Sequence, residues 1–409
     1  MVSLESVPHG SITSPRGFRA GAVACGLRSG PGPDLGVLYA EVPCAAAGVF
    51  TNSRIKAAPL LLTRRRLHRG QLRAVVANAG SANACTGQDG MRDAALTARL
   101  AARKLGVAAG EVAVASTGVV GLRLDMERVR RGLERVSLSP EGGHAFARAI
   151  MTTDTVPKEV ALRGDMGGVP FTVAGAAKGA GMIHPDMATM LAFITTDAAV
   201  EAGFLKQCLR RAVATTFNMI TVDGDTSPND TVLVLAGGLA GNPVIRGGEA
   251  GEAFAGALEA VCLHLARSIV RDGEGATRLI EVRVEGALSQ AEARRAARTI
   301  AGSSLVKSGV YGQDPNWGRV AAALGRSRAR LNPGKVDIYL DSALSQTKGG
   351  LCFMKDGTPY PFDETQARAL LGEKEVVFRV ALNLGREAAT AWGCDLTPEY
   401  VTINSAYTT

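Results

Sequence analysis

The chain has 409 residues, 46% hydrophobic and 21% charged, with a formal net charge of +8. That composition excludes a disordered or low-complexity chain and supplies apolar residues for two core-bearing units. The excess of basic residues is spread along the sequence. Its densest run, Arg64-Arg65-Arg66 with Arg69, has no interleaved aromatics, and no nucleic-acid module accompanies it. Anionic small substrates suit the charge as well as any polyanion. No run of about 18 apolar residues predicts a membrane span, and the first residues lack the apolar stretch of a secretory signal. Seven cysteines, odd in number and without a C-x-x-C pair, point to reduced thiols in an intracellular compartment.

Residues 10–90 predict short strands joined by Gly- and Pro-bearing turns, among them 36–42, 48–51 and 72–77. The last feeds a run of small residues, Asn78 to Gly87, where backbone can approach a ligand or another backbone. Apolar and basic residues at helical spacing predict an amphipathic helix over 91–105. EVAVASTGVVG (111–121) reads as a strand followed by a turn. A glycine straight after a hydroxyl residue at a strand exit, as in Thr117-Gly118, can aim its N–H at a developing oxyanion. A plain strand-to-turn exit gives the same pattern. MTTDTVPK (151–158) is a polar segment just after a helix, and its Thr and Asp residues equally suit local backbone capping.

The segment KGAGMIHPDMATMLAFITTDA (178–198) combines a turn-rich run (Gly179, Gly181, Pro185, Asp186) with the apolar run Met190–Ile194, the length of a buried strand. Thr189 stands at the junction. A rigid strand would fix its hydroxyl while the loop leaves room for a ligand. By pattern alone it is first a β-branched residue opening a strand, and His184 is a loop side chain rather than a base. Downstream, helices are predicted over 201–217, 249–268 and 288–301, and a buried strand over 231–236. RDGEGATRLIEVRV (271–284) is an acidic Gly-rich turn, containing Glu274, that feeds a strand. Residues 303–320 read as a strand, a turn and a Pro-initiated helix start. Metal binding is not expected. Asp223, Asp225, Asn229 and Asp230 resemble a calcium loop, but Pro228 stands where glycine is needed and no closing Glu follows. There is no P-loop, H-E-x-x-H or G-x-S-x-G.

KGAGMIHPDMATMLAF resembles the self-cleavage and nucleophile segment of the ornithine acetyltransferases of arginine biosynthesis (glutamate N-acetyltransferases). GVFTNSRIKAAPL, NAGSANACTG, STG, MTTDT, DGEGAT and DPNWGR (314–319) recur in that family's order, from SPRGF at 14–18 to Thr409. The resemblance implies an α/β fold with mixed β-sheets sandwiched by helices, N-terminal-nucleophile-like, with a second smaller α/β domain. It implies self-cleavage between Ala188 and Thr189. The resulting α-chain, 1–188, forms the N-terminal α/β unit, and the β-chain, 189–409, contributes most of the second. It makes Thr189 the nucleophile, Thr117 and Gly118 the oxyanion hole, and Thr152, Lys178, Thr189, Glu274, Asn404 and Thr409 the substrate-binding residues. The implied reaction is ping-pong acetyl transfer from N2-acetylornithine to glutamate. No cofactor and no metal are implied, and acetyl-CoA stays open as a second acetyl donor. The implied assembly is a cytoplasmic α2β2 heterotetramer of the two chains, with no nucleic-acid or membrane partner. Arg278 replaces the usual Lys, Ser405-Ala406 the usual Ala-Asp, and Met219 and Pro228 the usual Arg and Thr. These departures bear on substrate specificity, not on the reaction class.

Chemistry agrees with cleavage. A neutral Thr hydroxyl is a poor nucleophile, and no Ser/His/Asp set is evident to activate it. A freed α-amine, with a reference pKa of ~7.7–8.0, is a ready base. Two other classes remain. An N-terminal-nucleophile amidohydrolase or aminopeptidase would share the cleavage but pass the acyl group to water. A non-enzymatic anion- or nucleic-acid-binding protein would need no cleavage and would bind polyanions with steep salt dependence.

Overall fold

The computed structural model describes residues 4–184, 190–342 and 350–406. Two mixed sheets organise these residues. The first contains β1 (Glu5–Ser6), β2 (Phe18–Val23), β3 (Leu35–Phe50), β4 (Gln71–Asn78), β5 (Val112–Ser116), β6 (Lys158–Asp165), β7 (Pro170–Lys178), β8 (Leu191–Thr196) and, after the short β9 (Ile220–Thr221), β10 (Thr231–Ala236). Its order is β1-β6-β7-β8-β10-β3-β4-β5, with β2 paired to β3. The second sheet has the order β14-β13-β12-β15-β11-β16-β9. Its strands are β11 (Leu279–Ala287), β12 (Asp337–Ser342), β13 (Leu351–Lys355), β14 (Thr358–Pro359), β15 (Glu375–Ala381) and β16 (Glu387–Cys394), together with β9. The helices are α1 (Ala58–Arg66), α2 (Gly87–Leu105), α3 (Met126–Arg135), α4 (Gly143–Ala149), α5 (Ala202–Thr215), α6 (Gly248–Arg271), α7 (Gln290–Ala301), α8 (Ser304–Tyr311), α9 (Gly318–Gly325), α10 (Glu364–Leu371) and α11 (Pro398–Ala406).

The centre of the first sheet is buried on both faces, which is why its strands read as continuous apolar runs. In β8, Ala192 and Ile194 join the core under α5 and α6, while Leu191 and Phe193 join the opposite core around α4. Phe193 and Phe146 meet there edge to face at 5.4 Å. At the other end of the sheet, Leu35, Val37, Ala74 and Val114 pack with Ala98, Val129 and Leu133 of α2 and α3. The first core also spans to the second sheet. Phe254, Leu258, Val261, Leu265 and Ile269 of α6 share it with Ile280, Val282, Phe378 and Val380. α6 is long and apolar enough to cross a membrane by composition, contrary to the sequence expectation that no such run exists. Those fully buried side chains commit its apolar face to the core.

Three local expectations change. The strands expected at 36–42 and 48–51 are parts of one 16-residue strand, β3, whose pairing with β4 shifts register between Tyr39 and Cys44. Residues 58–66, placed among short strands, form α1, with a proline in its first turn where a missing N–H costs nothing. Residues 304–311 are helical, not a strand. Val306 and Val310, four apart, are both buried there, so docking of one helical face overrides the strand preference of valine.

Candidate active site

β7 and β8 pair antiparallel, with Lys178 opposite Leu191, so residues 179–190 close a hairpin between them. Thr189 and Ala188 belong to that connection and lie outside the described residues, as does Thr409. The site is therefore defined by what surrounds the hairpin.

Lys178 is the last residue of β7 and its side chain is almost fully buried. Nζ donates to Thr152 Oγ1 at 2.6 Å and to Thr117 Oγ1 at 3.3 Å, and stands 3.9 Å from Asp154. An ammonium has no acceptor capacity. Both hydroxyls therefore accept from lysine and keep their own protons to donate elsewhere. Thr117 is 3% exposed at the exit of β5. Gly118 follows with φ +126, and a Cβ there would lie 2.4 Å from the Gly80 carbonyl carbon, so only glycine fits. Among the described residues no carbonyl accepts the Gly118 N–H, whereas its neighbours bond Asn78 and Gly80. A threonine O–H and a glycine N–H, side by side and uncommitted, are the donor pair an oxyanion needs.

A buried charge network holds this cluster. Asp154 accepts the Thr152 N–H at 3.0 Å, the Gly179 N–H at 2.7 Å and Lys158 Nζ at 2.6 Å. Burial pushes its carboxyl up, but Lys178, Lys158 and the Gly179 amide prevail and bring it to about 2. Burial lowers Lys178 from 10.5, with Asp154 opposing. Lys158 continues the chain to Asp272 at 2.5 Å, and Asp272 accepts the Thr155 N–H at 3.0 Å. The network thus runs from the Thr117 hydroxyl to the turn carrying Glu274.

Glu274 donates its N–H to the Ala180 carbonyl at 2.9 Å, and its carboxylate lies against Gly181, where a Cβ would meet it at 2.3 Å. Asn404 of α11 donates Nδ2 to Glu274 Oε2 at 2.8 Å. Glycine at 181 is what lets this carboxylate sit over the hairpin.

The loop 223–230 grips the hairpin from both sides. Asp223 accepts the N–H groups of Met182 at 2.5 Å and Ile183 at 2.9 Å, and Asp230 Oδ1 accepts the Met190 N–H at 3.0 Å. Burial raises both carboxyls, Asp230 well above the usual carboxylate range. Asn229 donates Nδ2 to the carbonyls of Ala82 at 2.6 Å and Ser116 at 2.7 Å, fixing the strand exit that presents Thr117. His184, read as a loop side chain, sits 3.2 Å from Thr221 Oγ1.

Of the residues singled out in the sequence, Thr117, Gly118, Thr152 and Lys178 converge in one cluster, and Glu274 and Asn404 form a second over the same hairpin. Asp154 and Lys158 lie in the segment read as a capped polar loop, and Asn229 and Asp230 in the run rejected as a calcium loop; none of the four was assigned to the site. The one available signal was that the 223–230 run, too irregular for a calcium loop, holds carboxylates and an amide that backbone N–H and C=O groups can use instead. No group of three or more metal-binding side chains occurs among the described residues.

A relative from Symbiobacterium thermophilum, an arginine biosynthesis bifunctional protein ArgJ, is 57% identical over 98% of this chain and 99% of its own length. One of the same description from Dehalococcoides mccartyi is 48% identical over 100% and 99%. A crystal structure of ornithine acetyltransferase complexed with ornithine, from Mycobacterium tuberculosis, aligns at 44% identity with a TM-score of 0.42, covering 45% of this chain and 98% of that one. With the ArgJ family model matching residues 19–409, and the Symbiobacterium thermophilum and Dehalococcoides mccartyi relatives aligned over nearly the whole of both chains, the chain belongs to the ArgJ family.

Proposed function

We propose that the protein is a glutamate N-acetyltransferase of arginine biosynthesis that moves acetyl from N2-acetyl-L-ornithine to L-glutamate through an acetyl-Thr189 intermediate. The observation that carries this reading is the contact of Lys178 with both Thr117 and Thr152 at the mouth of the hairpin that bears Thr189. Thr189 Oγ first attacks the Ala188 carbonyl; the N-to-O acyl shift gives an ester that water hydrolyses, and the freed α-amine becomes the base. In the mature enzyme the amine takes the Thr189 hydroxyl proton as Oγ adds to the acetyl carbonyl. Thr117 O–H and Gly118 N–H receive the oxyanion. The C–N bond breaks, and the proton leaves with ornithine. Glutamate then attacks the acetyl ester through its amine, and Thr189 Oγ regains a proton.

Lys178 neutralises a substrate carboxylate with Thr152 beside it, and Thr409 is a further substrate-binding residue. Glu274, steadied by Asn404, pairs with the ornithine ammonium. The reaction needs no cofactor; acetyl-CoA serves as a second donor. The functional form is a cytoplasmic α2β2 assembly of the two chains.

Intact mass of the purified protein beside Thr189→Ala tests the reading first. Two chains, 1–188 and 189–409, in the wild type and one uncut chain in the variant are expected. Acetyl transfer to glutamate should then outpace hydrolysis. A single uncut wild-type chain, or acetate release faster than transfer, overturns it.

A further inference from the structure

A cavity of about 560 Å³ opens between α7 and the loop that follows β3, beside the hairpin but outside the cluster around Lys178. Arg54 lines it from the loop, Arg295, Arg298 and Thr299 from α7, Arg326 from the end of α9, and His184 from the hairpin. Positions 295, 298 and 299 are spaced so that one helical face turns toward the cavity. No carboxylate lines it among the described residues. Arg54, Arg295 and Arg326 are exposed and form no ion pair among those residues. Glu292, on the same helix, is engaged elsewhere by Arg330 at 2.8 Å.

Guanidinium groups gathered in one concavity repel each other and focus a positive potential into it. Their planar donors match phosphate oxygens two at a time. Several of them around one space answer a ligand of several negative charges better than a single carboxylate. The volume falls within the ~300–1,000 Å³ of small-molecule sites, and hydroxyl donors such as Thr299 are at hand for a sugar or further phosphate oxygens.

We propose that this cavity binds a ligand carrying two or more phosphate groups, of nucleotide size. Two sources share that chemistry: the phosphate-bearing carrier of a thioester acetyl donor, and a free nucleotide acting as an effector. Only the assignment to a donor rests on the acetyl-transfer reading.

Isothermal titration of the full-length protein with adenosine diphosphate and with inorganic pyrophosphate reads binding without turnover. Saturable binding that weakens with salt is expected for the wild type, with at least a tenfold loss in Arg295→Glu/Arg326→Glu. Arg54→Glu, on the other wall, should weaken binding in the same direction. Acetylornithine-to-glutamate transfer without added nucleotide should be unchanged in each variant. A raised KM for acetyl-CoA confined to the variants assigns the cavity to the donor. A nucleotide effect on the acetylornithine reaction that the variants lose assigns it to an effector. Absence of saturable wild-type binding, or equal binding by wild type and variants, overturns the proposal even where acetyl transfer itself is confirmed.

Discussion

Thr117 accepts from Lys178 and so has only its own proton to offer an oxyanion. Thr117→Ala should lower kcat by roughly 10²–10³, as loss of one oxyanion donor does, with KM for acetylornithine little changed. Thr117→Ser should retain most of the rate; equal losses in the two variants would point to packing instead. Asp154 makes a prediction about acid stability. Its folded pKa, about 2, lies below the ordinary 3.8. Its contribution, about 2 kcal/mol by linkage, is therefore present above about pH 4 and lost as pH falls toward 2. Asp154→Asn should lower stability at neutral pH and flatten that acid limb, read from urea midpoints across pH. Lys178, Thr117 and Glu274 stood in recognisable strings. Asp154 did not announce itself, because an Asp in MTTDTVPK is equally a loop cap until the fold buries it between two lysines.

The β7–β8 hairpin and the 223–230 loop work as one unit. Asp230 holds the Met190 N–H, the amide next to Thr189, so Asp230→Ala leaves a buried N–H unmade at a cost of about 1–3 kcal/mol. Self-cleavage should slow by roughly tenfold or more, since 1.4 kcal/mol is a factor of ten. Asp230→Asn, which keeps an acceptor oxygen, should cleave faster than the alanine variant. A time course of intact mass distinguishes the three proteins. On the next strand positions, Phe193→Ala should cost about 3–5 kcal/mol through lost burial and the cavity left in the core it shares with Phe146. β8 and β10 were legible at nearly their true bounds because LAFITT and TVLVLA are apolar toward both faces. α8 was not, since Ser304–Tyr311 shows its helical face only once α9 and the second sheet cover it.

At the scale of the molecule, the bond between residues 188 and 189 lies between two strands that pair directly. β10, from beyond that bond, lies between β8 and β3, and β3 precedes it. The segments 1–188 and 189–409 therefore share one sheet and the two cores on either face of β8. After cleavage they should elute together on size exclusion and separate only in denaturant; separation under native conditions would contradict this pairing. Sequence by itself determined the chemistry-bearing strings, their order and the buried central strands, because nucleophile, turn glycines and two-faced apolar runs are local patterns. Only the tertiary structure decided that Asp154 ties Lys158 to Lys178, that Asn229 and Asp230 brace the site, and that arginines 54, 295 and 326 surround one cavity. The partners in each case are 4 to 272 residues apart in the chain. A charge or amide acquires its partner, its burial and its pKa only when folding brings distant segments into contact.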